Sequence, residues 1–142
     1  MKQILFLIVI SMMLSGCKKD SNDPLPEVAG IVGRWQLTEI EKTENGQKTW
    51  LSAVYYDQPT YLSFRNDGVL LDSKGLPLCC APDFLNINGV PFKIVPKADL
   101  PVNPTCALID CATCPTWNIQ QTGDEIIIES CATFPRHKYV RK

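Results

Sequence analysis

The residues of this chain with the widest choice of chemistry are its seven cysteines. Six of them lie in the second half of the chain: Cys79, Cys80, Cys106, Cys111, Cys114 and Cys131. Cys111 and Cys114 have the spacing of a redox-active pair, although no helical pattern follows them that would activate a thiol. Together with Cys106 and one more thiol, they also have a spacing that a zinc site could use. Disulfide formation is the third possibility, and the cellular compartment decides among the three.

Other chemistries lack the residues that they need. Covalent haem attachment requires a histidine directly after Cys114, where Pro115 stands. The single histidine, His137, lies between Arg136 and Lys138, a pattern that predicts a solvent-facing strand end. The sequence contains no Gly-x-Ser-x-Gly nucleophile elbow and no phosphate-binding loop. We therefore expect a non-enzymatic protein with no catalytic residues, no cofactor and no metal site.

The N-terminus has the pattern of an export signal. Lys2 provides a positive charge, and an apolar run of eleven residues follows over residues 4–14, broken only by Ser11. This run is too short to span a bilayer as a stable helix but fits the hydrophobic region of a signal peptide. Residues 14–17 (Leu-Ser-Gly-Cys) resemble the lipobox of bacterial lipoproteins, whose cysteine carries acyl chains such as palmitate. We predict cleavage before Cys17 and a lipid on its thiol; an ordinary signal peptide with an incidental cysteine is the alternative.

This anchor predicts where the protein resides and how its chain is organised. Lys18, Asp20 and Asp23 after the cysteine resemble the pattern of outer-membrane lipoproteins more than that of inner-membrane ones. The membrane face, periplasmic or external, stays open. We predict a signal peptide over residues 1–16, a lipidated N-terminus with a flexible tether over 17–30, and one folded domain over 31–142.

The charge balance argues against one class of partner. The chain has 14 Lys and Arg residues against 15 Asp and Glu residues, for a formal net charge of −1. A near-neutral chain without a basic cluster is not expected to bind nucleic acid. The partner that the sequence indicates most directly is the membrane, which the protein contacts through its N-terminal lipid.

Export also selects among the chemistries open to the six later cysteines. Outside the cytoplasm, an even number of cysteines predicts three disulfides, for which sequence alone leaves fifteen connectivities. The Cα atoms of adjacent Cys79 and Cys80 are about 3.8 Å apart, closer than the roughly 4.4–6.8 Å of most disulfides. We therefore expect these two cysteines to bond to different partners. The disulfides would pin the proline- and cysteine-rich residues 73–116 to the domain, and a redox role for Cys111 and Cys114 is the least favoured hypothesis.

The rest of the domain has the pattern of strands joined by tight turns. Short apolar or alternating runs flank glycine-bearing turns at residues 45–46, 66–68, 88–89 and 122–123. Asparagine and glycine tolerate the positive φ angles of tight turns, so each turn predicts a hairpin. Eight or nine short strands must also hide their edges. We predict an all-β fold, a small antiparallel up-and-down barrel with a disulfide-stapled insertion at residues 73–116; a two-sheet sandwich is the alternative.

Two segments of this pattern resemble a known family. Residues 33–35 (Gly-Arg-Trp) open the first strand, and residues 61–64 (Tyr-Leu-Ser-Phe) precede the Asn-Asp-Gly turn. Together they resemble the lipocalin-like domain found in many bacterial envelope lipoproteins. The resemblance covers residues 31–72 and, more loosely, 117–141. The cysteine-rich middle of the chain departs from it.

The resemblance implies a structural pair and a class of ligand. In lipocalins a tryptophan of the first strand packs at the closed end of the barrel, and a basic residue of the last strand lies across it. Trp35 and Arg141 match these two positions. The resemblance implies a small hydrophobic ligand. An envelope protein or a glycan is the alternative partner. The alternative role is that of a structural envelope component whose barrel is filled with side chains. Because the inward residues are bulky and the strands of so small a domain are short, we expect a shallow lumen without an enclosed pocket of ~300–1,000 Å³. Binding, if any, is expected at the open barrel end and in the cysteine-rich loop, near residues 77–84 and 101–115.

Overall fold

Nine β-strands form one curled sheet in the computed structural model, which describes residues 23–53, 59–112 and 114–142. The strands are β1 (Gly33–Glu44), β2 (Gln47–Ser52), β3 (Tyr61–Phe64), β4 (Leu70–Leu71), β5 (Phe84–Ile87), β6 (Val90–Lys93), β7 (Thr116–Thr122), β8 (Glu125–Glu129) and β9 (His137–Arg141). A short 3-10 helix spans Pro104–Leu108. The described residues thus confirm the all-β class, and no helix among them is long and apolar enough to cross a bilayer. The predicted signal peptide and Cys17 lie outside the described residues.

The sheet is antiparallel except at one pair of strands. Its hydrogen-bonded order is β4-β3-β1-β9-β8-β7-β5-β6, and β2 pairs with the second half of β1. β5 and β7 run parallel, with Leu85 opposite Trp117. The prediction of a wholly antiparallel arrangement is therefore wrong at this pair. A parallel pair needs a long crossover, and the residues between β6 and β7 provide one.

The predicted insertion over residues 73–116 is not one continuous irregular segment. β5 and β6 lie inside this range, and their Leu85, Ile87 and Phe92 belong to the core of the sheet. Only the flanking stretches are irregular apart from the 3-10 helix. We call residues 73–83 the first arm and residues 94–112 the second arm.

The two end strands of the sheet approach each other without completing a barrel. Within the described residues the ladder ends at β4 and at β6, so closure is not confirmed. Contacts near the turn after β3 bridge the two edges instead. Asp67 accepts a hydrogen bond from the backbone N–H of Lys97, which follows β6, at 2.9 Å. The ring of Phe92 packs so closely on Gly68 that a Cβ there would lie 2.5 Å from it.

The concave side of the sheet carries the apolar core. Strand side chains alternate between the two faces, and the inward positions of neighbouring strands meet in one cluster. Its members are Val28, Ile31, Trp35, Leu62, Phe64, Leu70, Leu85, Ile87, Phe92, Ile119, Ile126 and Ile128. Trp117 and Tyr139 are partly buried against this cluster. The interior of the curled sheet is therefore occupied by side chains.

A turn before β1 covers one end of this core. Val28 and Ile31 have no exposed surface, and the backbone N–H of Leu25 donates to the carbonyl of Asn66 at 3.0 Å. Because Leu25, Val28 and Ile31 are three residues apart, their apolar side chains lie on one side of this turn. The packed part of the chain therefore begins at Leu25, six residues before the predicted start of the domain.

Candidate functional site

Three disulfides lie at the end of the sheet where β7 begins and β8 ends. They are Cys79–Cys106, Cys80–Cys111 and Cys114–Cys131, with Cα–Cα distances of 4.9, 5.4 and 5.6 Å. The first two join the first arm to the second, and the third clamps β7 to β8. The prediction of disulfides is confirmed, and the adjacent Cys79 and Cys80 bond to different partners. Because all six thiols are consumed, none of them is free to bind zinc.

The pairing also separates the two cysteines of the possible redox motif. Cys111 bonds to Cys80 of the first arm, whereas Cys114 bonds to Cys131, the second residue after β8. A redox-active pair requires its two thiols to form a disulfide with each other. This arrangement therefore gives no support to a thioredoxin-like role.

Asn103 joins the two arms by hydrogen bonds. Its side-chain oxygen accepts from the backbone N–H of Thr105 at 3.1 Å and caps the 3-10 helix. Its amide nitrogen donates to Asp72 at 3.2 Å and to the carbonyl of Pro77 at 2.9 Å. Asn103 is buried and is not among the residues predicted from the sequence. The signal was present, because asparagine directly before Pro104 is a common helix cap.

An open cleft lies between the two arms and the first residues of β7. Its volume is about 410 Å³, within the range of ~300–1,000 Å³ that is typical of small-molecule sites. The apolar wall consists of Leu78, Ile109, Trp117 and the cysteines of the first arm. We call this feature the arm cleft. It lies in the region where binding was expected, beside the sheet rather than inside it.

The polar groups of the arm cleft differ in whether they already have partners. Asp72 accepts hydrogen bonds from the backbone N–H groups of Lys74 and Leu76, at 2.8 and 3.0 Å, and from Asn103. The side chains of Lys74 and Thr105 make no ion pair or hydrogen bond with the described residues. The unsatisfied polar groups that the cleft offers to a ligand are therefore hydrogen-bond donors or, for the threonine hydroxyl, a donor and acceptor.

Trp117 is shared between the arm cleft and a smaller depression of about 220 Å³. The second depression includes Ser130 and Phe134, which follow β8. The indole Nε1 of Trp117 is buried and has no acceptor among the described residues. Because the polar edge of the ring is withdrawn from solvent, Trp117 presents hydrocarbon surface to the cleft.

The structure brings together the two residues that the family resemblance pairs. Trp35 and Arg141 lie opposite each other on β1 and β9, and the guanidinium carbon is 4.2 Å from the centre of the Trp35 ring. Trp35 is fully buried and donates from Nε1 to the carbonyl of Ile31 at 2.7 Å. Arg141 also donates to the carbonyls of Val32 and Gly30 at 2.7 and 2.6 Å. The pair fastens the N-terminal turn to the sheet, so its role is structural.

His137 is the first residue of β9, as the prediction of a strand end implies, but its side chain does not face solvent as predicted. It pairs with Ile128 on the core side of the sheet and is half-buried, and this burial lowers its pKa. Burial raises the pKa of Tyr139, two residues later on the same face, to about 12. Alternation back from Arg141 would have placed both side chains on this face. Neither residue lines the arm cleft.

The opposite face of the sheet carries charged groups that neutralise one another. Glu41 accepts a hydrogen bond from Arg136, 3.1 Å from Nε, and pairs with Lys48 at 3.3 Å. The hydrogen bond from Arg136 is the main reason that the pKa of Glu41 is lowered. Lys138 and Arg136 flank the ring of Trp50 at 4.7 and 5.5 Å. These cations are therefore already engaged by Glu41 or by the Trp50 ring.

Comparison of the chain with protein-family models, with curated proteins and with solved structures finds no match. The resemblance to lipocalin-like lipoproteins therefore stays a hypothesis based on the residues quoted for it. The chemistry of the arm cleft is the feature of the described residues that bears most directly on function.

Proposed function

We propose that this chain is a lipid-anchored, non-enzymatic binding module of the bacterial cell envelope. In this proposal, acyl chains on Cys17 hold the protein to the outer membrane, and the arm cleft binds a ligand. The observation that carries the binding role is a cleft of about 410 Å³ whose walls are joined by two disulfides. Cross-linked walls lose little conformational entropy when a ligand binds, which favours affinity.

The sheet acts in this proposal as a lipocalin-like scaffold. The antiparallel run β3-β1-β9-β8-β7 and the contact between Trp35 and Arg141 support that finer assignment. Apolar side chains occupy the concave side of the sheet, which favours a ligand site outside it. The same filled interior favours the second candidate, a structural envelope component. A carrier that holds a small hydrophobic ligand inside the barrel is the third.

Titration with N-phenylnaphthylamine, an uncharged dye that fluoresces in apolar surroundings, tests the binding role. Exported protein with its disulfides intact should bind one dye molecule saturably. Ile109→Asp should abolish this binding, because it puts a charge in the apolar wall of the cleft. Val90→Asp is the matched control, since Val90 is an exposed apolar residue on β6 that does not line the cleft.

Three results would redirect the proposal. The absence of saturable dye binding would favour the structural role. Leu37 of β1 lies opposite Tyr139, which packs against the core on the interior face of the sheet. Binding that survives Ile109→Asp but is lost in Leu37→Asp would favour a carrier that uses this interior face. Equal losses in Ile109→Asp and Val90→Asp would show that the dye reports general destabilisation and not the cleft.

The anchor is tested separately by the mass of the mature N-terminus. Protein extracted from native membranes should begin at Cys17 and carry acyl chains. Cys17→Ser should release the protein from the membrane or leave the precursor uncut. An unmodified mature N-terminus at any other residue would contradict the anchor without bearing on the cleft.

A further inference from the structure

The Asp72 carboxylate and the Asn103 amide, which line the arm cleft, already make hydrogen bonds within the protein. The Asp72 carboxylate accepts three hydrogen bonds, two from its own turn and one from Asn103. The side-chain oxygen of Asn103 accepts from Thr105, and its nitrogen donates to Asp72 and Pro77. A ligand that needed either group would have to break the contacts that hold the arms together. The Asp72 carboxylate thus serves mainly to hold the turn and the second arm in place.

Lys74, an exposed residue, is the one charged residue lining the arm cleft whose side chain makes no ion pair or hydrogen bond with the described residues. Thr105 adds a hydroxyl that is also without a partner there. Across from them, Leu78, Ile109 and the hydrocarbon surface of Trp117 form the apolar wall. The cleft thus combines an apolar surface with a cation at its margin.

We infer that the ligand of the arm cleft is a small amphipathic anion, a compact apolar body that bears one acid group. The apolar body contacts Trp117 and Ile109, and the acid group faces Lys74. This inference rests on the proposed binding role of the same cleft. It ranks an uncharged apolar molecule below the acid, because such a ligand leaves the Lys74 side chain without an ion-pair partner, and it ranks a cation lower still, because Lys74 would repel it.

Two dyes with the same ring system test the inference. Anilinonaphthalene sulfonate is N-phenylnaphthylamine with an added sulfonate, so the pair differs only in the acid group. The sulfonate dye should bind about twofold to fivefold more tightly, the range expected for a solvent-accessible ion pair. This preference should shrink as salt is added, because the ammonium lies at the surface.

Substitution of Lys74 assigns the preference to one group. Lys74→Gln should abolish the preference for the sulfonate dye, so that the ratio of the two dye affinities falls to about one. Lys74→Arg should retain the preference, because it keeps the positive charge. Lys93→Gln is the matched control, since it removes an exposed lysine on β6 that does not line the cleft.

The outcomes separate this inference from the proposed function. If both dyes bind equally, or if the preference survives Lys74→Gln, the amphipathic anion is ruled out and the cleft remains a binding site for an uncharged ligand. If neither dye binds in a manner sensitive to Ile109→Asp, the binding role of the cleft fails as well. A preference that is lost only in the Lys74→Gln protein supports the inference.

Discussion

Large apolar residues are buried in the curled sheet but exposed to solvent in the second arm. Trp35 and Leu85 of the sheet have no exposed surface, whereas Val102 and Leu108 of the second arm expose 87% and 88% of theirs. The sheet is held by burial of apolar surface and by its ladder of hydrogen bonds. The second arm buries little apart from Asn103 and is joined to the first arm by disulfides and by that residue's hydrogen bonds.

The difference shows how a small domain can display an apolar surface without losing its fold. Apolar side chains that do not contribute to a core do not stabilise the folded state, so a covalent link has to limit the freedom of the segment that carries them. The disulfides, and not packing against the sheet, therefore hold the segment that exposes Leu108 and Val102. We expect mutations in the two regions to affect different measurements.

The largest effect is expected in the core of the sheet. Trp35→Ala should lower the free energy of unfolding by about 3–5 kcal/mol, because it leaves a large cavity and removes the partner of Arg141. Urea unfolding followed by far-ultraviolet circular dichroism measures this loss. Trp50→Ala is the matched control on the opposite face and should cost about 1 kcal/mol through its contact with Lys138. Equal losses in the two variants would show that the core is not centred on Trp35.

Removal of a bridge between the arms should have a smaller effect on stability and a larger one on binding. Replacing both Cys80 and Cys111 by alanine should cost at most about 2–4 kcal/mol and should abolish dye binding in the arm cleft. The β-sheet signal in circular dichroism should persist, because the apolar core does not depend on this bridge.

The bridge between Cys114 and Cys131 provides the comparison for that variant. It joins β7 to β8, which already pair along five residue positions. Its removal should therefore leave the arms linked and dye binding largely intact. Loss of the β-sheet signal in the Cys80/Cys111 variant would contradict the separation of the two regions.

The parts of the fold that depend on neighbouring residues could be predicted from the sequence. Asn45 and Asn88 each have a φ of 50°, followed by glycines at 78° and 86°, as tight hairpins require. These turns set the register of the hairpins β1–β2 and β5–β6. The prediction succeeded there because the preference for positive φ lies in the two residues of the turn themselves.

The parts that depend on distant residues could not be predicted in this way. No short sequence pattern indicates that β5 pairs in parallel with β7, because the whole second arm lies between β6 and β7 in the chain. The disulfide connectivity and the arm cleft have the same origin, because both arise where the arms converge. Asn103 shows the limit most clearly. Its capping role is local, but its bond to Asp72 spans 31 residues.

The last and smallest effect is expected at Asp67, which links the sheet to the second arm. Burial acts to raise its pKa, but hydrogen bonds from the Lys97 N–H, from Arg65 and from the Val69 N–H outweigh that effect and lower it. The pKa is therefore lower in the folded protein than in the unfolded chain. The stabilisation by the charged form is present above the unfolded pKa of about 3.9 and is lost as pH falls through the folded pKa.

Asp67→Asn tests this link because it replaces an acceptor by a group that is part donor. We expect a loss of about 1–3 kcal/mol at neutral pH, since Arg65 and the Lys97 N–H lose a charged acceptor that is itself buried. The variant should also show a flatter decline in thermal midpoint between about pH 5 and pH 2 than the unmodified protein. Asp124→Asn is the matched control, because Asp124 pairs with Arg141 at 3.1 Å from an exposed position. If the two variants change the pH profile equally, Asp67 is not the group that couples the arm to the sheet, and the contact with Lys97 contributes no more than a surface ion pair.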